Sequence, residues 1–289
     1  MSKPKFTSQQ KPTVDLDTND FYFERARKIR SHIVRMLHKA NASHIGSCFS
    51  IVDILTVLYS GIIRITPDSI HSTQRDRFIL SKGHAAAAVY ATLCEAGFLD
   101  IDWLERYCQN TAPLGGHITA NVPGVEVSTG SLGHGLSIGC GMAIDGQSEK
   151  RQYRVFVLMS DGECDEGSVW EAALFAPYHN LENLTIIIDY NKIQSFDRVE
   201  NVLELEPFAD KWESFGWAVQ EIDGHNFEDI KKTLGNIPFE KGKPSCIIAH
   251  TIKGKGVSFM ENKVEWHYKS PTKEQLEMSL KELGVEYEN

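Results

Sequence analysis

Val155-Phe156-Val157-Leu158-Met159-Ser160-Asp161-Gly162 is an unbroken apolar run that stops abruptly at a serine, an aspartate and a glycine. Leu184-Thr185-Ile186-Ile187-Ile188-Asp189-Tyr190-Asn191 has the same shape, apolar and then suddenly polar. Runs rich in Val, Ile and Leu without polar alternation belong to strands buried on both faces, the habit of parallel sheets. Ser168 to Ala176, between them, is small and apolar and reads as a crossover helix. Cys246-Ile247-Ile248-Ala249 is a third such run. Phe78-Ile79-Leu80 is a short strand leading into Ser81-Lys82-Gly83-His84, and Trp217-Ala218-Val219 is a strand before a helix that starts around Asn226. The alternation of strand and helix predicts an α/β class, a doubly wound and mostly parallel sheet with helices on both faces.

Outward from this centre, Ala26, Ile29, Ile33 and Leu37 fall at helical spacing behind a cap at Asn19 or Asp20. A second helix is expected near Ser50, with Ile51, Ile54, Leu55 and Leu58 on one side. Thr272 to Leu283 reads as a closing amphipathic helix. Residues 1–20 are polar with two prolines and read as a flexible arm, so one domain over 21–289 is the simplest division. The arm has no apolar centre and is not a signal peptide. The formal charge of −9 argues against a nucleic-acid or anionic-membrane surface. Ala85 to Leu99, the most apolar stretch, is interrupted by Glu95 and too short to span a bilayer. Six scattered cysteines without a C-x-x-C pair make a zinc site or disulfide framework unexpected, and a cytoplasmic setting fits them.

Open parallel sheets bind ligands at the carboxyl ends of their strands. Asp161 and Asn191 stand at two such ends, 30 positions apart, enough for one helical crossover. A carboxylate, an amide oxygen and a nearby backbone carbonyl form a partial shell for Mg²⁺, which completes its octahedron with phosphate and water. Taken singly, Asp161 reads as a helix cap and Asn191 as a turn; the spacing of the pair favours a metal–diphosphate site. Ser128-Thr129-Gly130-Ser131-Leu132-Gly133-His134-Gly135 opens a helix on which Gly135, Gly139 and Ala143 share a face that would let another helix approach closely, in the core or across a subunit contact. Glycines allow close backbone approach, and a helix N-terminus favours phosphate. The G-x-G-x-x-G turn of nicotinamide enzymes is absent from this loop, which sets that rival class low.

Ser160-Asp161-Gly162 with Asp189-Tyr190-Asn191 resembles the Gly-Asp-Gly…Asn motif of thiamine-diphosphate enzymes. His44 in Ser43-His44-Ile45-Gly46, His84, Gly116-His117, Ser128 to Gly135, Glu163 to Trp170, Lys253-Gly254-Lys255-Gly256 and Trp266-His267 narrow the resemblance to transketolases. It runs in order from about residue 21 to 270 and implies thiamine diphosphate and Mg²⁺ as cofactors. By the resemblance, Asp161, Asn191 and the Ile193 carbonyl would hold the metal. Gly162 and Glu163 would lie by the phosphates, and Gly130, Ser131 and Leu132 by the pyrimidine. His44, His84, His117 and His267 would handle substrate protons, and Glu166 would link to a neighbouring active site. Imidazole suits such transfers near neutral pH. A histidine taken alone is more often structural, and His225 reads as part of a plain Asp-Gly-His turn.

Ser160 departs from the motif glycine, a strain only if that position needs a positive φ. The resemblance covers only the first half of a transketolase. It implies a partner: a C-terminal subunit carrying the glutamate that activates the pyrimidine, in a heterotetramer of two of each chain. Together the two chains would move a two-carbon ketol unit from a ketose to an aldehyde, with a sugar or sugar phosphate as substrate. Two alternatives stay open: an α-keto acid decarboxylase/carboligase resembling deoxyxylulose-phosphate synthase, and a non-catalytic regulatory subunit.

Overall fold

A computed structural model describes residues 18–286. The arm assigned to residues 1–20 lies outside the described residues up to position 17. Five strands, β1 (Arg77–Leu80), β2 (Val155–Ser160), β3 (Leu184–Tyr190), β4 (Ala218–Asp223) and β5 (Ser245–His250), form one sheet. All pairings are parallel, in the order β1-β2-β3-β5-β4. The helices before β2 are α1 (Asn19–Ala40), α2 (Ile45–Phe49), α3 (Val52–Val57), α4 (Ala86–Glu95), α5 (Ile101–Glu105) and α6 (Gly135–Ser148). After it come α7 (Gly167–Tyr178), α8 (Val199–Val202), α9 (Phe208–Ser214), α10 (Phe227–Gly235) and α11 (Lys273–Glu282).

Every residue of β2 and β3 is buried, because each strand feeds two cores. Phe156, Leu158 and Ile187 face a core built with α1, α3 and α4, while Val155, Val157, Ile186 and Ile188 face one built with α6, α7 and α9. Side chains alternate across a strand, so a continuous apolar run is what two covered faces require. Edge strand β4 has half-exposed and exposed residues between its buried ones.

Three details differ from the sequence expectation. The cap of α1 is Thr18, whose side chain accepts the Phe21 N–H, and not Asn19 or Asp20. The helix expected near Ser50 is divided, α2 ending at Phe49 and α3 starting at Val52, with Leu58 beyond it. Strand β3 runs through Asp189, a buried carboxylate made tolerable by the Lys82 ammonium beside it. The closing helix α11 starts as read, with Thr272 and Gln275 forming a capping box.

Candidate active site

The register brings the decisive residues together. Ser160 pairs with Asp189 at the carboxyl ends of β2 and β3, so Asp161 and Asn191 leave neighbouring strands into one cleft of about 230 Å³. Both side chains also do local work. Asp161 Oδ1 accepts the Gly162 N–H (2.7 Å) and Oδ2 the Lys192 N–H (2.6 Å), while Asn191 Oδ1 accepts the Ile193 N–H (3.1 Å). Burial, and then the neighbouring Asp189, push the Asp161 carboxyl up to about 6. An anion so destabilised is one that a cation would relieve. Ser160 sits in extended backbone and carries no strain. Its hydroxyl accepts the Glu163 N–H while its own N–H donates to the Glu163 carboxylate, the reciprocal bonds of a capping box.

Two lysines, wholly inside the protein, define the electrostatics. Lys82 donates to the Ser47 carbonyl (3.0 Å) and pairs with Asp189. Burial opposes the Asp189 carboxylate, but Lys82, Ser50 and Thr251 hold it below its ordinary range. Lys253 has no such pairing. Its ammonium donates to the carbonyls of Ile193 (2.9 Å) and Gln194 (3.1 Å) and to His267 Nδ1 (2.9 Å), all neutral groups. Burial and the nearby Lys82 lower it to about 8.

Four imidazoles gather at the mouth of the cleft. The His44 ring lies 5.1 Å from His84, 5.2 Å from His267 and 6.1 Å from His117, centroid to centroid. His44 holds a left-handed backbone (φ 77°), unusual for a residue with a side chain, and its N–H donates to the His267 carbonyl (2.8 Å). Burial, with the charges of His117 and Lys253, takes His44 down to about 4. Burial and then Lys253 take His267 to about 3, and His84 lies well below its ordinary value for the same first reason. These three rings are neutral at pH 7. Lys253 can only donate, so His267 accepts at Nδ1 and carries its proton on Nε2. The loop carrying His84 packs against Thr129: a Cβ on Gly83 would fall 2.4 Å from the Thr129 carbonyl oxygen.

Gly130, Leu132, Gly162 and Ile193 also line the cleft. Ser131 and Glu163, expected there, do not, and Glu166, expected to link to a neighbouring site, also stands outside it. Ser131 is exposed outside it; Glu163 is buried behind it, bonded to Ser81, Gly133 N–H and Ser160; Glu166 is exposed at the start of α7 without a cap bond. The cleft adds Ser47, Lys82, Gln194, Lys253 and Tyr268. Glycine-flanked Lys82 and Lys253 were the available signal, but their burial is a tertiary fact.

The model of the family described as "Transketolase, thiamine diphosphate binding domain" matches residues 23–289. The chain belongs to the transketolase family. Among this transketolase's relatives is one of the named subunits of the apulose-4-phosphate transketolase of Phocaeicola vulgatus, 44% identical, covering 91% of this chain and 94% of that protein. 6-deoxy-6-sulfo-D-fructose transketolase subunit SqwG of Clostridium sp. MSTE9 is 38% identical over 91% of this chain and 96% of its own length. Human transketolase is 37% identical over 90% of this chain, which spans only 41% of that protein. The Campylobacter jejuni transketolase crystal structure superposes with a TM-score of 0.88 at 28% identity, covering 93% of this chain and 43% of its own. The chain thus spans about two-fifths of these single-chain transketolases.

The transketolase site suits a diphosphate. Lys253 is a buried ammonium facing only neutral acceptors, and Asp161 is a buried carboxylate without an ionic partner of its own. An anion beside the first and a divalent cation beside the second would each lower the cost of burial. No cluster of three or more His, Cys, Asp or Glu among the described residues is arranged for a metal, so a cation would rely on the carboxylate–amide–carbonyl set. No helix among the described residues is long and apolar enough to cross a membrane.

Proposed function

We propose that this chain is the diphosphate-binding half of a two-chain transketolase, active with a C-terminal partner in an assembly of two of each. The carrying observation is the match to relatives that are themselves named as subunits. The chain is nearly coextensive with two relatives named as subunits but spans 41% of human transketolase. Those relatives are named for a sugar phosphate and a sulfo-sugar, so anionic ketoses are the substrate class to screen first. Six free cysteines among the described residues fit a reducing cytoplasm.

Asp161, the Asn191 amide oxygen and the Ile193 carbonyl would hold Mg²⁺, and Gly162 and Lys253 would meet the diphosphate. Gly130 and Leu132, on the cleft wall, would border the ring end of the cofactor. Bound there, thiamine diphosphate supplies the nucleophilic carbon and the electron sink for breaking the bond beside a ketose carbonyl. The chain's own part is proton handling. Neutral His44 and His84 can take a hydroxyl proton, and His267 Nε2–H can donate to a substrate oxygen. His117, exposed at the mouth, faces the incoming sugar. Glu166, exposed on α7, would act only across a subunit contact.

Calorimetry with thiamine diphosphate and Mg²⁺ tests this, on the chain alone and mixed with a C-terminal transketolase subunit. Mg²⁺-dependent binding that strengthens in the mixture is expected. Absence of binding in both would sink the reading.

A further inference from the structure

His225 follows Asp223-Gly224 in what the sequence presents as an ordinary turn ahead of α10, yet the structure gives its ring two partners on separate elements. Nε2 accepts the backbone N–H of Ile252 (2.8 Å), and Nδ1 lies 2.6 Å from Asp53 Oδ2 on α3. An amide N–H can only donate, so Nε2 is unprotonated and the ring proton sits on Nδ1, directed at Asp53. From the other side Arg30 of α1 grips Asp53 through two 2.8 Å bonds. Burial works against that carboxylate, but Arg30 and His225 hold it at about 2. Arg30, Asp53, His225 and the Ile252 amide therefore form a hydrogen-bonded chain in which the donor of each link is assigned.

The chain ends one residue from Lys253. Beyond the last residue of β5, the segment 251–254 is pinned at each position. The Thr251 hydroxyl donates to Asp189, the Ile252 N–H to His225, the Lys253 ammonium to Ile193 and Gln194, and the Gly254 N–H to the Gly46 carbonyl (3.1 Å). The partners of Lys253 line the cleft, and the partner of Thr251, Asp189, sits behind it bonded to the cleft residue Lys82. His225 is the anchor that ties the segment to α1 and α3, the body of the protein. Neither His225 nor Asp53 lines the cleft; both border a separate hollow with Arg30, Lys255 and Gly256.

We infer that Asp53 and His225 are a positioning pair that fixes Lys253, and through its bond the His267 ring, at the active site. Only the consequence for diphosphate rests on the function proposed above; the positioning stands on geometry alone. Glutamine at 225 can still offer an oxygen to Ile252, whereas alanine offers nothing.

His225→Ala and His225→Gln in the full chain provide the test, read by hydrogen exchange of the Ile252 amide against β3 as internal reference. Alanine should speed exchange at Ile252 about tenfold, the worth of one lost hydrogen bond, with β3 unchanged. Acylation of the Lys253 amine should quicken in parallel, and glutamine should recover most of both effects. Unchanged exchange at Ile252, equal acceleration in β3, or glutamine behaving as alanine would each overturn the inference. A second arm titrates thiamine diphosphate and Mg²⁺ into wild type and His225→Ala, each mixed with a C-terminal subunit, expecting about tenfold weaker binding by the variant. Should wild type not bind, the cofactor reading fails, while the exchange result still decides the positioning.

Discussion

An ammonium taken out of water costs several kcal/mol unless a counter-charge or good hydrogen bonds replace the solvent. Lys253 meets three neutral acceptors and no anion, which marks it as a residue kept for a ligand. Lys253→Met should therefore change thermal stability little, since removal of a buried charge is set against the Ile193 and Gln194 carbonyls and the His267 ring left without a donor. It should weaken thiamine diphosphate binding by about 10- to 150-fold, the range for a charge-assisted hydrogen bond of roughly 1.5–3 kcal/mol. Thermal melts and titration check the two effects independently; lower stability with unaltered affinity would contradict a ligand role for this ammonium. The histidines permit a second test at the same scale. Nitrogen chemical shifts of the cofactor-free protein at pH 6 should show His44, His84 and His267 neutral, with the His267 proton on Nε2.

Helix α6 carries the glycine-rich loop and must lie close to β2. A Cβ added at Gly139 would sit 2.6 Å from Val157 Cγ2, a methyl on a stiff β-branched side chain. Alanine has better helix propensity than glycine by up to about 1 kcal/mol, but overpacking a close contact costs about 1–3 kcal/mol. The clash wins: Gly139→Ala should lower unfolding free energy in denaturant titrations, and adding Val157→Ala should return part of the loss. A stabilised single variant would show that α6 can move off the sheet freely. The spacing of Gly135, Gly139 and Ala143 exposed this close face in the sequence. By sequence that face would seat another helix, in the core or across a subunit contact, whereas at Gly139 the neighbour is Val157 of β2; a small-residue stripe does not say what it meets.

For the molecule as a whole, the histidine cluster sets a pH dependence. In the folded, cofactor-free protein His44 falls to about 4 and His267 to about 3, whereas in the unfolded chain each titrates near its ordinary value. The unfolded state therefore binds more protons as pH drops below about 6.5, so the histidines' contribution to stability is full above that point and lost on acidification. Asp161, raised to about 6, acts oppositely between its folded value and the ordinary carboxylate range, as do Glu163 and Asp165, which are also raised, but above about pH 6 the three histidines dominate. The denaturant midpoint of the cofactor-free chain should fall from about pH 7.5 to about pH 6. A flat or rising midpoint would contradict the burial of these rings. Replacing His44 and His267 by glutamine should flatten the slope.

The sequence by itself determined the strands, their parallel pairing and the meeting of Asp161 with Asn191. Unbroken apolar runs permit only doubly covered strands, and polar residues that end them must emerge at one edge of the sheet. It also displayed His44, His84 and His117, each near a glycine that lets its loop converge, whereas His267 has no glycine beside it. Tertiary structure decided what depends on residues far apart in the chain. It buried Lys82 and Lys253, turned Glu163 inward to Ser81 and Gly133, left Glu166 outside the cleft, and joined His225 to Asp53 across 172 positions. Charge, tautomer and burial are properties of a side chain's neighbours, and those neighbours exist only once the sheet has brought its loops together.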